Sequence, residues 1–193
     1  MIELAVANRK EKKMSADQLV RYCAPTLAGI KTGSLFTLHF TTDDIRHDIS
    51  CFNKKMRKKG IRIIPLKVCE TYALIYLYRP EMLERDLKDP EAVTILKRFG
   101  YSVASPDRCV ADLVKRLNSS PVFPHEIGLF LGYPPSDVDG FIRNPNEGFC
   151  VVGCWKVYSN ADKAVRTFNR YKRCTEKYGR MLRAGRTLEQ LVV

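Results

Sequence analysis

A histidine–glutamate pair, His125 and Glu126, offers the clearest acid–base chemistry in the chain. Both residues lie in a glycine- and proline-rich run, residues 124–143, which predicts two short helices around a tight turn. At the start of a helix a carboxylate is stabilised, whereas a histidine loses basicity and suits proton transfer or hydrogen bonding to a ligand. The alternative is a packed structural pair, with Glu126 as an ordinary helix-start residue.

The segment from Phe149 to Tyr158 predicts one strand, which places Cys154, Lys156 and Tyr158 on the same face. Cys154 is then a candidate nucleophile, and the ammonium group of Lys156 would bind an anion and favour the thiolate. The alternative is an exposed strand edge with a lysine that reaches solvent. On a regular strand Cys150 and Cys154 lie roughly 13 Å apart, too far for one zinc ion or one disulfide. Only a bulge or a loop would bring them together, and Gly153 is the one indication of it.

Lys31 lies among small residues ahead of a predicted strand, where backbone N–H groups can also bind an anion. Together with His125, Glu126 and the strand residues Cys154, Lys156 and Tyr158, it defines a hypothetical cleft for a small anionic or phosphate-bearing ligand. Whether such a protein is an enzyme is left open. The three histidines fall on separate predicted elements, so no metal site is predicted, and the sequence identifies no cofactor.

The last predicted helix, about residues 160–184, carries a stripe of basic residues. Their spacing of 3, 4, 3, 4 and 3 residues puts them on one side of the helix: Lys163, Arg166, Arg170, Arg173, Lys177 and Arg180. The side predicted to face the core carries Ala164, Val165, Phe168, Tyr171, Tyr178 and Leu182. Because like charges repel and solvated faces normally mix signs, the stripe favours a nucleic acid or an acidic protein as partner. The alternative is a solvated face, since no aromatic residue interleaves with the stripe to stack on bases.

The composition is that of an ordinary globular chain, with 45% hydrophobic and 28% charged residues, and its formal net charge of +12 also indicates an acidic partner. A second basic cluster consists of Lys54, Lys55, Arg57, Lys58, Lys59 and Arg62. No run approaches the roughly 18 apolar residues that cross a bilayer, the first residues lack a signal-peptide pattern, and seven scattered cysteines are typical of reduced thiols. The expected location is the cytoplasm, with no membrane partner.

The order of elements predicts a single α+β domain over residues 1–193, with a small mixed or antiparallel sheet of about four strands packed by several helices. Strands are predicted at 34–40, 61–68 and 72–78, the last two as a hairpin, and helices near 80–88, 90–98 and 106–118. Ser15 caps a first helix through about Cys23, where Pro25 interrupts it, and Thr41 or Thr42 caps the next. The ends, 1–13 and 185–193, are expected to be flexible or peripheral.

The two helices of residues 124–143 also match the spacing of a helix-turn-helix. Asp137 and Asp139 oppose that function, because DNA phosphates would repel carboxylates at the contact positions. The favoured alternative is a structural αα-corner. It would bury Phe130, Leu131, Tyr133, Phe141 and Ile142.

Three stretches resemble an uncharacterised bacterial protein family that is frequent in anaerobes. They are Pro-His-Glu-Ile-Gly-Leu-Phe-Leu-Gly-Tyr-Pro at 124–134, Cys-Trp-Lys-Val-Tyr at 154–158 and Cys-Ala-Pro-Thr-Leu-Ala-Gly-Ile-Lys at 23–31. The resemblance covers the whole chain. Because that family has no established activity, the resemblance implies no function and carries over no catalytic residue.

Overall fold

The structure, a computed structural model, describes residues 5–6, 14–39 and 44–193. It divides into two compact units. The helical unit comprises Glu81–Arg170, and the sheet unit comprises the described residues up to Pro80 together with Tyr171–Val193. The α+β class is confirmed, whereas the single domain over residues 1–193 stays a prediction.

The sheet unit is built on a four-stranded mixed sheet, as predicted. Its strands are β1 (Ala5–Val6), β2 (Gly33–His39), β3 (Arg62–Val68) and β4 (Tyr72–Tyr78). The strand order is β1-β2-β4-β3, with β1 parallel to β2 and the other pairs antiparallel. The predicted β3–β4 hairpin is therefore confirmed, and β4, whose aromatic and aliphatic residues are almost all buried, lies between two other strands.

Helices of the sheet unit are α1 (Ala16–Leu27), α2 (Asp44–Met56) with a 3₁₀ turn at Arg57–Lys59, the end of α8 (Ala161–Arg183) and α9 (Leu188–Leu191). Ser15 caps α1 in a capping box with Gln18, as predicted. The predicted interruption at Pro25 is wrong: α1 continues to Leu27, because a proline in the last turn removes only one helical hydrogen bond. Phe40 and the caps predicted at Thr41 or Thr42 lie outside the described residues.

The end of the chain belongs to the core of the sheet unit. Leu191 and Val192 are buried, so the peripheral end predicted for residues 185–193 is corrected there. The guanidinium group of Arg79 donates hydrogen bonds of 2.7 Å each to the carbonyl oxygens of Thr26 and Leu27, and another to that of Val193. The side chains of Leu191 and Val192 thus complete this core, although no periodic pattern in the sequence predicts their burial.

The helical unit contains most of the remaining helices. They are α3 (Pro80–Leu87, from its second residue), α4 (Pro90–Arg98), α5 (Pro106–Ser119), α6 (Ile127–Phe130), α7 (Pro135–Arg143) and the first turns of α8. The first three match the predicted helices closely, since each begins at a proline, whose fixed φ suits the first turn. None of the helices in the described part of the chain is both long and apolar enough to cross a membrane.

The single strand predicted for residues 149–158 is wrong. The segment folds as a hairpin of β5 (Val151–Val152) and β6 (Lys156–Val157), with Val151 opposite Val157. The turn begins at Gly153, where a Cβ atom would lie 2.2 Å from the ring of Phe168. Since the chain reverses there, Cys154 lies in the turn and not on one strand face with Lys156 and Tyr158.

Candidate functional site

The glycine-rich run forms the predicted αα-corner from α6 and α7. Gly132 leaves α6 with φ at +76°, a conformation that glycine adopts without strain. Gly128 lets α7 approach closely, because a Cβ atom there would lie 2.8 Å from Cγ2 of Val138. Phe130 and Leu131 are buried as predicted, whereas the predicted burial of Tyr133, Phe141 and Ile142 is only partial.

Glu126 is a buried carboxylate within this corner. It accepts a 3.0 Å hydrogen bond from the hydroxyl of Tyr101 and forms a 2.8 Å ion pair with Nε of Arg116. Burial, and secondly the charge of Glu126, raises the pKa of Tyr101, which therefore stays a protonated donor. Glu126 thus fastens α5 and the loop before it to the corner. Its predicted role beside the neighbouring histidine stays a prediction.

His125 projects from the same turn and is exposed on one side. Its ring packs edge-on against Phe141, with 5.0 Å between ring centres, and lies 6.1 Å from the ring of Phe123. Partial burial lowers the pKa of His125 from its ordinary value, although the carboxylate of Glu126 opposes this effect. The neutral imidazole that results can accept a proton or a hydrogen bond.

Asp137, in the first turn of α7, is a hydrogen-bonding centre. Its carboxylate accepts bonds of 2.8 Å from Nε1 of Trp155, 2.8 Å from the backbone N–H of Tyr158, and 3.0 and 2.8 Å from the N–H and hydroxyl of Ser159. In the disfavoured helix-turn-helix alternative Asp137 would face DNA, whereas here its side chain is only 2% exposed. Sequence reasoning missed this role. The one sequence feature that could have indicated this role is the position of Asp137 in the first turn of a predicted helix, directly before the apolar Val138.

His125 and Lys156 line one pocket with the aromatic rings of Tyr133, Phe141 and Trp155. Tyr133 and Trp155 are stacked, with ring centres 4.7 Å apart. The pocket volume of about 30 Å³ holds a few water molecules at most. Larger ligands would enter only if the side chains that form its rim moved.

The ammonium group of Lys156 already has two contacts within the helical unit. It donates a 2.6 Å hydrogen bond to the carbonyl of Pro145 and lies 4.5 Å from the ring centre of Phe149. A bound anion would compete with the carbonyl but not with the ring, because a cation over an aromatic face keeps donors available. Lys156 is therefore able to turn towards a ligand at the pocket.

The other predicted site residues do not line this pocket. Cys154 is exposed in the hairpin turn, and its carbonyl accepts a 3.2 Å bond from the Tyr133 hydroxyl. Tyr158 donates a 2.7 Å bond to the carbonyl of Asn144, and burial raises its pKa. Lys31 belongs to the sheet unit, where its ammonium group lies 5.9 Å from the ring centre of Tyr171.

The described residues show neither a metal-binding cluster nor a disulfide bond. They contain no group of three or more His, Cys, Asp or Glu side chains placed to hold a metal ion. All seven cysteines are outside disulfides. Burial raises the pKa of Cys23 to about 12, so this thiol is protonated and serves as a small apolar group.

The basic stripe on α8 is exposed along its whole length. It comprises Lys163, Arg166, Arg170, Arg173, Lys177 and Arg180. Over residues 14–39 and 44–193, five of these six, all but Arg173, form no ion pair. Opposite the stripe, Ala164 and Tyr178 are buried as predicted. Val165 is 41% exposed, against prediction, because consecutive helical residues are about 100° apart and Val165 cannot share the face of Ala164.

The fold and these surfaces define an α+β protein with an aromatic pocket beside a tight helical corner and with a cationic stripe on α8. The chain belongs to the family described as "Protein of unknown function (DUF3793)", whose family model matches residues 19–192. No curated protein and no solved structure matches the chain.

Proposed function

We propose that this protein binds a nucleic-acid strand by its phosphate backbone, through the basic stripe on α8. The observation that supports this function is a row of exposed cations with few partners of their own in the described chain. Seventeen residues separate Lys163 from Arg180, which is about 25 Å along the helix axis. Duplex DNA carries about 15 phosphates over that distance, so several cations can meet phosphates at once.

The composition of the stripe favours contacts to the backbone over contacts to bases. It contains no aromatic residue on which a base could stack, and its lysines and arginines recur at a regular interval of about 5 Å. Phosphate contacts of this kind position a protein on a strand but read no sequence. Binding is therefore expected to be independent of sequence.

The second basic cluster is a weaker candidate, because part of it is used within the sheet unit. Lys55 lies 3.8 Å from a carboxylate oxygen of Glu189, and Lys59 donates a 3.0 Å hydrogen bond to the carbonyl of Val192. These contacts hold α9 and the end of the chain against α2. The basic residues of the stripe on α8 form fewer contacts of this kind within the described part of the protein.

The test compares charge reversals that alter the net charge equally. Arg166→Glu/Arg170→Glu changes the formal charge from +12 to +8 and removes two stripe contacts, and Lys97→Glu/Lys115→Glu makes the same change on exposed positions of α4 and α5. In fluorescence anisotropy with mixed-sequence DNA and RNA, the first variant is expected to bind at least about tenfold more weakly, and the second much less so.

Equal losses in both variants would show that net charge alone drives binding and would reject the stripe. Absence of binding by the unmodified protein to either nucleic acid at low salt would reject the function itself. An acidic protein as partner is then the alternative, and it would leave the stripe essential in a binding assay with a polyglutamate peptide.

A second candidate function is binding of a small anionic ligand at the pocket, with His125 as proton shuttle. It is supported by the presence of His125 and Lys156, which carry an imidazole and an ammonium group, in the lining of one pocket. Trp155 is the single tryptophan of the chain, so small carboxylates and phosphates that enter should change its emission. A response lost in Lys156→Ala and kept in Lys97→Ala supports this function, and no response in the unmodified protein contradicts it.

A further inference from the structure

A groove of about 430 Å³ runs between α1 and the last turns of α8, within the sheet unit. Three arginines line it: Arg21 from α1, and Arg180 and Arg183 from α8. All three side chains are exposed to solvent along the groove. Unlike the pocket in the helical unit, this groove has room for a metabolite-sized ligand.

The three guanidinium groups are available for a ligand. Throughout the described part of the chain, none of them forms an ion pair, although Asp17 and Glu176 also line the groove. A guanidinium group presents parallel N–H donors that match two oxygens of a phosphate, a geometry that an ammonium group lacks. The use of arginine at all three cationic positions therefore favours a phosphoryl group as ligand.

The clustering of these charges distinguishes the groove from the stripe. Along the stripe one cation recurs about every 5 Å, which suits phosphate diesters with one negative charge each. In the groove, Arg180 and Arg183 are three residues apart on one helix and Arg21 faces them from another. The carboxylates of Asp17 and Glu176 offset part of this charge, so the lining keeps a net positive charge that favours an anion. Three guanidinium groups on one volume match the three terminal oxygens of a phosphate monoester, which is a dianion above its second pKa of about 6.

The remaining lining residues limit what the phosphate is attached to. Gly179 leaves the floor open, since a Cβ atom there would lie 3.4 Å from a guanidinium nitrogen of Arg183. The carboxylates of Asp17 and Glu176 can accept hydrogen bonds from hydroxyl or amino groups, and they would repel a second anionic group. These features favour the monophosphate of a hydroxylated molecule over a pyrophosphate.

We propose that the groove lined by Arg21, Arg180 and Arg183 is a binding site for a phosphate monoester. This site goes beyond the binding of a strand along α8, with which it shares only Arg180. Two sources could supply the monoester: a free sugar or nucleoside monophosphate, or the phosphorylated end of a nucleic-acid strand. The chemistry recognised is the same in both.

The experiment uses the full chain and two pairs of probes. Isothermal titration at pH 7.5 compares adenosine 5′-monophosphate with adenosine, and fluorescence anisotropy compares one oligonucleotide with and without a 5′-phosphate. Arg21→Ala and Arg183→Ala, which leave the stripe intact, should each weaken binding of the phosphorylated probe about tenfold. Arg186→Ala removes one exposed positive charge just beyond α8 and outside the groove, and it should have little effect. Binding should also weaken at pH 5, where the monoester loses one charge.

The outcomes separate the two sources and the two proposals. Binding of adenosine 5′-monophosphate that depends on Arg21 identifies a free ligand, and a 5′-phosphate effect that depends on Arg21 identifies a strand end. Absence of any phosphate dependence in both pairs, or an equal loss in Arg186→Ala, would overturn the groove site. Arg166→Glu/Arg170→Glu should leave binding of the monophosphate unchanged, so failure of the strand-binding function is distinguishable from failure of this site.

Discussion

At the residue scale, the helical unit depends on two buried carboxylates with different partners. Glu126 is matched by Tyr101 and Arg116, and Asp137 accepts four hydrogen bonds from Trp155, Tyr158 and Ser159. Buried carboxylates are tolerated when hydrogen bonds or ion pairs compensate the loss of water. Both residues belong to the glycine- and proline-rich run 124–143, in which the sequence predicts a functional site. In the structure, however, both side chains connect secondary-structure elements.

Replacement of Asp137 with alanine should destabilise the helical unit by about 3 kcal/mol or more, because it leaves the Trp155 indole N–H and two backbone N–H groups without their acceptor. Urea unfolding followed by Trp155 emission and by circular dichroism measures the change. Asp139→Ala is the matched control. It removes only the ion pairs to Arg98 and Arg143, both exposed, and should cost about 1 kcal/mol or less. Similar losses for the two variants would contradict the central role of Asp137.

At the scale of elements, glycines set how closely the helices and the hairpin approach. A Cβ atom at Gly140 would lie 2.4 Å from the ring of Tyr158, and one at Gly153 would lie 2.2 Å from that of Phe168. The dense glycine and proline content of residues 124–143 predicts a tight helical corner, which the structure bears out. It did not show which partner each glycine meets, because those partners lie far away in sequence.

Gly128→Ala should destabilise the corner by about 1–3 kcal/mol, since the new methyl group would overlap Cγ2 of Val138. Adding Val138→Ala removes that overlap, so the double variant should be more stable than the sum of the two single changes by about 1 kcal/mol. Thermal and urea unfolding of the four proteins in this cycle provide the measurement. Gly179→Ala, whose methyl group would lie 3.4 Å from the end of the long Arg183 side chain, should be neutral or slightly stabilising. Additive effects of Gly128 and Val138 would argue against close packing between them.

At the scale of the whole molecule, the formal charge of +12 is distributed unevenly. Some basic residues of the cluster at 54–62 form contacts within the sheet unit, whereas those of the stripe on α8 are exposed to solvent. Positive charges that have no partner in the fold repel one another and raise the free energy of the isolated protein. Binding of a polyanion neutralises them and lowers this free energy. This difference in use is what makes α8 the candidate interface.

The charge reversal on α8 should also change the salt dependence of strand binding. With six phosphate contacts, the slope of log Kobs against log salt for duplex DNA is about −5, and removal of two contacts makes it about −4 or shallower. Anisotropy titrations between low and physiological salt measure both slopes. If Lys97→Glu/Lys115→Glu changed the slope as much as Arg166→Glu/Arg170→Glu, binding would not be localised on the stripe.

The sequence by itself determined the elements that depend on local patterns. The β3–β4 hairpin, the proline-started helices α3, α4 and α5, the capping box at Ser15 and the stripe on α8 all follow from spacing over a few residues. Each of these signals lies within one helix or one pair of consecutive strands, so it does not depend on distant parts of the chain.

Only the tertiary structure decided the environment of the candidate chemistry. The reversal at Gly153 separated Cys154 from the face of Lys156, and long-range partners turned Glu126 and Asp137 inward. The groove lined by Arg21, Arg180 and Arg183 arises because α1 and the last turns of α8 pack side by side, although Arg21 and Arg180 are 159 positions apart in sequence. Burial and hydrogen bonding between distant segments are set by the fold as a whole, and no local pattern of residue types encodes which side chains will meet.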